Sequence, residues 1–106
     1  MSRELIFLPE VSRDFLEASE YYENLSPGRG SARFEAAFRQ ALDQIQAGVI
    51  THSRSFDHYH RVILARFPYN LYYRLVDSQA VITAVLYARF EPKRIEDTLN
   101  RRHGMD

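Results

Sequence analysis

The residues best suited to chemistry lie in the second half of the chain, where arginine is interleaved with aromatic side chains. The planar guanidinium of arginine carries five N–H donors, so it binds phosphates and carboxylates and also stacks on rings. Beside tyrosine and phenylalanine, this chemistry suits a surface that contacts nucleic acid or another protein. The simpler alternative is a solvated sheet edge and helix face. The set comprises Arg61, Arg66, Arg74, Arg89, Lys93, Arg94, Arg101 and Arg102, with Tyr59, Tyr69, Tyr72, Tyr73, Tyr87 and Phe90 among them.

Histidines offer a second kind of chemistry. His58 and His60 are two positions apart and point to one side of a predicted strand, with His52 upstream. A metal site would need a carboxylate at a matching spacing, and none is visible. We therefore predict no metal and no cofactor, with these histidines in loops or at a rim. A metal-free nuclease needs a base and a cation around a phosphate, which His58, His60, Glu91, Tyr87 and the arginines could supply, although nothing in their spacing requires it.

Composition and charge limit the class of protein. The 106 residues fit a single domain spanning 1–106, and 14 basic against 14 acidic side chains give zero net charge, which argues against a general nucleic-acid binder. The charge is uneven, because residues 1–53 carry a net −3 and residues 54–106 a net +3. The chain has no cysteine, which excludes disulfides and thiolate chemistry. With no signal-like or membrane-length apolar stretch, we expect a cytoplasmic protein without membrane contact.

The residue patterns predict the element order β-α-α-β-β-β-α. Apolar residues recur at helical spacing in two segments, and Ser31 and Gly48 suit the N-cap and the C-terminal end of the second one. Residues 49–58 have the composition of a polar loop. The predicted elements are strands at 3–8, 60–66, 70–76 and 81–89, helices at 10–25 and 32–47, and a short charged helix after Pro92.

The alternation within the strands predicts which faces are buried. One face of each strand should meet the helices, while the other, which mixes aromatics with arginine, should be exposed or covered by a partner. The short loop between the first two helices predicts an antiparallel hairpin. We therefore predict an α+β fold with a two-helix antiparallel hairpin on a small, mainly antiparallel four-stranded sheet. The residues expected to meet the helices are Leu71, Tyr73, Leu75, Ile82, Ala84, Leu86 and Ala88.

Two segments of the β-rich half carry a shared pattern. The first runs from Phe56 to Arg74, and its most telling parts are Arg-Phe-Pro-Tyr at 66–69 and Tyr-Tyr-Arg at 72–74. The second, at 85–92, reads Val-Leu-Tyr-Ala-Arg-Phe-Glu-Pro. Together they resemble the ParE/RelE toxins of bacterial type II toxin–antitoxin systems, whose second motif ends Val-Leu-His-(small)-Arg-Arg-Asp-Pro. The predicted element order agrees with the helical hairpin and small sheet of that family over the whole chain.

The resemblance implies two different functions. The RelE branch resembles a metal-independent ribonuclease that cuts messenger RNA in the ribosome, and its phosphate-facing group here would be His58, His60, Arg74, Tyr87 and Arg89. The ParE branch resembles an inhibitor of DNA gyrase without chemistry of its own. The chain departs from the RelE pattern because Tyr87 replaces histidine, Phe90 replaces the second arginine, Asn70 replaces an arginine and no tyrosine follows Pro92.

These departures favour the ParE-like branch. We predict a non-enzymatic toxin that poisons DNA gyrase and is neutralised by a ParD-like antitoxin in a hetero-oligomer. The alternatives are a RelE-type ribonuclease and a detoxified relative that only binds a partner. The antitoxin would lay an amphipathic segment across Phe15, Tyr22 and Phe38, although core packing is the more ordinary role of such residues. The predicted target-binding residues are Arg61, Arg66, Arg89, Lys93, Arg94, Arg101 and Arg102.

Overall fold

Three helices and five strands make up the computed structural model, which describes residues 2–48, 53–56 and 58–104. His52 and several other residues of the predicted loop at 49–58 lie outside the described residues. No helix among the described residues is long and apolar enough to cross a bilayer. The elements are β1 (Glu4–Phe7), α1 (Glu10–Leu25), α2 (Gly30–Ala47), β2 (Ser53–Ser55), β3 (Tyr59–Ile63), β4 (Tyr69–Val76), β5 (Gln79–Tyr87) and α3 (Pro92–Arg102).

The strands form a single mixed sheet in the order β1-β5-β4-β3-β2. β1 runs parallel to β5, and every other neighbouring pair is antiparallel. The α+β class and the helical hairpin are confirmed, but the sheet has five strands where four were predicted. The additional strand is β2, a Ser-Arg-Ser segment that pairs with β3 at the sheet edge. Its sequence has no apolar alternation, so only backbone hydrogen bonds reveal it.

Helices cover both faces of this sheet. The α1–α2 hairpin packs on one face around Phe34 and Ile45, which are fully buried. The opposite face is covered by α3, whose Ile95 and Leu99 pack on Tyr59, Tyr72, Ala84 and Leu86. The face that was expected to be exposed or covered by a partner is therefore covered largely by the chain's own C-terminal helix.

A β-bulge changes which residues of β5 face the hairpin. Tyr72 and Tyr73 pair with residues on either side of Thr83, so β5 carries one extra residue at this point. Because side chains alternate, the extra residue reverses the faces of everything after it. The prediction that Ala84 and Leu86 face the hairpin is therefore wrong. The resulting clusters hold Ala80, Ile82 and Val85 on the hairpin side and Ala84 and Leu86 on the α3 side.

The start of α2 is capped by a side chain from α1. The Glu23 carboxylate accepts hydrogen bonds from the backbone N–H of Gly28 at 2.6 Å and of Ser31 at 3.1 Å, and from the Ser31 hydroxyl at 2.9 Å. Ser31 was predicted as the N-cap, but α2 already begins at Gly30 and the Ser31 hydroxyl donates to Glu23 instead. Gly48, with φ of 69°, is confirmed as the left-handed residue that ends α2.

The Glu23 cap predicts a loss of stability in acid. Its hydrogen bonds lower the pKa of Glu23 below the usual 4.5, so the folded state favours the ionised carboxylate. This contribution is fully present above the unfolded-state pKa and disappears as pH falls below about 4.5 through the lower folded-state pKa. We expect the urea midpoint to fall in this window less steeply for Glu23→Gln than for wild type. Glu20→Gln, which changes an exposed residue of the same helix, should keep the wild-type acid slope, and an unchanged slope in Glu23→Gln would contradict the cap.

Candidate functional site

The groove with the most basic side chains lies between α1 and α3 and has a volume of about 630 Å³, and four acidic residues, Asp14, Glu17, Glu91 and Asp97, line it as well. We call it the α3 groove. Pro92 provides the preset first turn of α3, and Ile95 and Leu99 anchor that helix to the sheet. Four of the seven predicted target-binding residues line the groove, namely Lys93, Arg94, Arg101 and Arg102.

The cations of the α3 groove differ in how they are engaged. The Arg94 guanidinium stacks over the Phe90 ring at 3.7 Å from its centroid. The Lys93 ammonium pairs with Asp97 at 3.0 Å, and this hydrogen bond raises the pKa of Lys93. The Arg101 guanidinium is exposed and makes no hydrogen bond or ion pair with any described residue. Arg94 and Arg101 therefore present free N–H donors to a ligand.

Arg102 has a different role, because it joins the end of α3 to α1 and to the bulge of β5. It forms two hydrogen bonds to the Asp14 carboxylate, at 2.6 and 2.9 Å, with only about a tenth of either side chain exposed. The same guanidinium donates to the carbonyl of Thr83 at 3.0 Å, and Asp14 accepts from the N–H of Val85 at 3.0 Å. Because β1 ends beside Ile82, the following part of β5 has no strand partner on that side, and the Asp14–Arg102 pair provides its hydrogen bonds instead.

A second polar group lies beneath the C-terminal end of α3. His103 Nε2 and Thr83 Oγ1 are joined by a 2.9 Å hydrogen bond, and the Tyr59 hydroxyl donates to Asn100 Oδ1 at 3.2 Å. Burial lowers the pKa of His103, assisted by the charge of Arg74, and burial also raises the pKa of Tyr59. Both side chains are therefore neutral near pH 7, and their hydrogen bonds hold α3 on the sheet.

The five residues of the predicted ribonuclease group are not brought together. His60 stacks on Tyr73, at 5.2 Å between centroids, on the hairpin side of the sheet. The positive charge of Arg74 acts, beside the larger effect of burial, to lower the pKa values of Tyr59 and His103, which lie on the α3 side of the sheet. Of the remaining three, His58 precedes β3, Tyr87 ends β5 against Tyr69 and Phe90, and Arg89 is exposed in the following turn. No three potential metal ligands cluster among the described residues.

An apolar groove of about 480 Å³ is lined by the end of β1, the first half of α1 and Phe38 of α2. We call it the hairpin groove. Phe15 and Phe38, both predicted to bind an antitoxin, line it with their rings 4.9 Å apart. Phe7 and Leu16 also line it and are 48% and 63% exposed, so the groove carries unpartnered apolar surface. Tyr22, the third predicted residue, does not line it.

A third groove, of about 770 Å³, lies between α2 and the turn that connects β3 to β4. We call it the Arg groove, because Arg33 and Arg66 line it. Its apolar part includes Ala36, Ala37, Phe67 and the predicted antitoxin residue Tyr22. The two remaining predicted target-binding residues, Arg61 and Arg89, line none of these three grooves.

The architecture is similar to that of a solved structure, the chromosomal ParDE TA system from P. aeruginosa. The match has a TM-score of 0.62 at 15% sequence identity and covers 83% of this chain and 98% of that chain. This chain has a ParE-like fold. The sequence matches no protein-family model and no curated protein. The resemblance predicted from the two β-rich segments is thereby confirmed at the level of the fold.

The contacts of the segment at 66–69, which carries part of the resemblance, show what its aromatic residues do in this fold. Phe67 makes edge-to-face contacts with Tyr22 at 4.7 Å and with Phe34 at 5.2 Å, so it fixes the β3–β4 turn against the hairpin. Tyr69 joins the same aromatic cluster from the start of β4. These aromatic residues shape the fold, whereas the free arginines around them lie on its surface.

Proposed function

We propose that this chain is the toxin of a type II toxin–antitoxin pair, which acts in the cytoplasm by binding DNA gyrase and is neutralised by a ParD-like antitoxin. The observation that carries the proposal is the ParE-like fold, which matches nearly the full length of a chain from a ParDE system. The scattered positions of His60 and Arg74 support a toxin that binds its target over one that cleaves RNA.

The α3 groove is the surface that we assign to the target. Arg94 and Arg101 lie seven residues apart on α3, so they share one side of the helix and both face outward. A gyrase–DNA complex offers carboxylates and phosphates, and arginine binds both with two parallel hydrogen bonds. The Phe90 ring beneath Arg94 holds that guanidinium in place and adds an apolar contact.

The hairpin groove is the surface that we assign to the antitoxin. An amphipathic segment binds such a groove by inserting apolar residues along one of its faces. Phe7 and Leu16 would lose their water contact on binding, and Phe15 with Phe38 forms the floor. The antitoxin would therefore contact other residues of α1 than those that line the α3 groove.

Growth inhibition should depend on the α3 groove. We expect the wild-type chain to arrest growth when expressed alone and to be harmless when expressed with the antitoxin encoded beside it. The double substitution Arg94→Glu, Arg101→Glu should weaken gyrase binding about a hundredfold, roughly tenfold for each reversed charge. Colony counts after induction and inhibition of supercoiling by the purified protein measure this effect.

The matched control is Arg13→Glu, an exposed arginine of α1 that lines none of the three grooves and should leave toxicity unchanged. Primer extension on messenger RNA and an assay for DNA breaks identify the target. Codon-spaced cuts in RNA would replace the gyrase assignment by a ribosome-dependent ribonuclease. A purified chain that inhibits neither supercoiling nor translation would be a binding-only relative.

A further inference from the structure

The turn between β3 and β4 contains one residue that the packing of the fold does not explain. Phe67 packs on Tyr22 and Phe34, and the carbonyl of Pro68 accepts a backbone hydrogen bond from the segment after β5 at 2.8 Å. Arg66, in the same turn, is exposed, and its guanidinium makes no hydrogen bond or ion pair with any described residue. Its neighbours therefore support the fold, while Arg66 does not.

The backbone of Arg66 is also in an unfavourable conformation. Its φ is 69°, in the left-handed region that glycine and asparagine adopt far more readily than arginine. If the turn served only to reverse the chain, glycine would relieve this strain. Strained residues cluster at binding sites, but a positive φ alone does not identify one, since Phe56 and Asp77 share it. The groove around Arg66 must therefore show what its guanidinium could bind.

The surroundings of Arg66 specify the chemistry of the ligand. Across the Arg groove lies Arg33 of α2, which is likewise exposed and without a side-chain partner among the described residues. Small and aromatic side chains lie between them, including Ala36 and Ala37, and no acidic residue is among those that line the groove. The groove thus combines an apolar floor with two uncompensated positive charges.

We infer that the Arg groove binds an acidic amphipathic segment of the antitoxin, whose carboxylates pair with Arg33 and Arg66 while its apolar residues contact the floor. This inference rests on the proposed function, which supplies the partner. A nucleic-acid backbone fits less well, because tracking phosphates needs a longer row of cations and gains nothing from an apolar floor. Charge complementarity therefore favours the acidic segment.

The Arg groove is a docking site distinct from the hairpin groove. Phe38 lines the hairpin groove and Ala36 lines the Arg groove, and residues two positions apart point to opposite sides of a helix. An antitoxin that fills both grooves must therefore cross α2, with apolar anchors on one side and acidic residues on the other. The sequence of the antitoxin should show these two kinds of segment in succession.

Charge reversal in the purified toxin–antitoxin complex tests the inference. We expect Arg33→Glu and Arg66→Glu each to weaken antitoxin binding about tenfold and the double variant about a hundredfold, with a shallower dependence of affinity on salt. Arg13→Glu, outside the three grooves, should bind as wild type does. Arg66→Gly removes the side chain and relieves the strained φ, so it should weaken binding without lowering the melting temperature.

Each result decides a separate question. If the antitoxin binds wild type tightly and the double variant equally tightly, the Arg groove is not its site, although the toxin–antitoxin assignment stands. If Arg66→Gly lowers the melting temperature together with the affinity, Arg66 has a structural role and the inference fails. If labelled DNA or RNA binds wild type and is released by the double variant, the ligand is a nucleic acid. If the antitoxin does not bind wild type, the proposed function fails, and this inference with it.

Discussion

Replacing Gly30 by alanine is expected to destabilise the protein by about 3 kcal/mol, at the upper end of the cost of overpacking. In an unconstrained helix the same change stabilises by about 1 kcal/mol, so even the sign of the effect is informative. Gly30 is buried where α2 begins beside the end of α1. An ideal Cβ there would overlap the carbonyl of Tyr22 and lie 2.7 Å from the amide nitrogen of Glu23. These are backbone atoms that cannot rotate away, so the helices must move apart.

The separation would disturb the packing that the hairpin supplies to the core. Tyr22 and Phe34 stack at 5.6 Å between ring centroids across this helix pair. Urea unfolding measures the loss, with Gly28→Ala as the control. Gly28 has φ of 83°, and a Cβ added to it would meet no atom of the surrounding fold within 4 Å, so that change should cost only about 1 kcal/mol through backbone strain. A Gly30→Ala protein as stable as wild type would show that the helices do not approach this closely.

The hairpin was predictable from sequence, but this close contact was not. Apolar residues at helical spacing placed α1 and α2 to within one or two residues, because the periodicity reflects which side of each helix is buried. Nothing in that periodicity distinguishes Gly30 from Gly28, two residues earlier. Their difference arises from the distance between two helices, which becomes visible only when both are packed.

The bulge at Thr83 shows a second limit of sequence interpretation. Parity along a strand predicts faces only while the pairing stays regular, and the extra residue in β5 reverses the faces after it. Thr83 is fully buried within an otherwise apolar run, and its hydroxyl bonds to His103 and to the carbonyl of Val81. A polar residue in that run was a visible signal of irregularity, although its partner 20 residues away was not.

The sequence identified the basic residues of the candidate site, but it did not show which of them are paired with an acidic side chain. Arg101 and Arg102 are adjacent in sequence, yet one is exposed and the other is almost buried. The helical spacing indicates that Arg102 lies on the buried side of α3, because Leu99 follows Ile95 by four residues and Arg102 follows Leu99 by three. Its partner Asp14, 88 residues away, could not be found without the fold.

The Asp14–Arg102 pair should be among the largest single contributors to stability. We expect Asp14→Ala to lower the free energy of unfolding by about 3–5 kcal/mol, because it leaves a nearly buried guanidinium without its carboxylate. It also removes the acceptor of the Val85 N–H, on the part of β5 that β1 does not reach. Arg102→Lys should not restore wild-type stability, since an ammonium cannot form the two parallel hydrogen bonds that Arg102 makes.

A double-mutant cycle separates the pair from its surroundings. If the two residues act together, Asp14→Ala and Arg102→Ala combined should cost about 2 kcal/mol less than the sum of the single changes. Arg101→Ala is the matched control, because this adjacent arginine is exposed and its loss should change stability by less than about 0.5 kcal/mol. Single changes that each cost below about 1 kcal/mol would show that the pair behaves as a solvent-exposed salt bridge. The cycle also decides how toxicity data must be interpreted. If the Arg102→Ala chain is harmless because it unfolds, the loss of toxicity says nothing about target binding. If the Arg101→Glu chain is folded and harmless, the loss of toxicity indicates that Arg101 contacts the target.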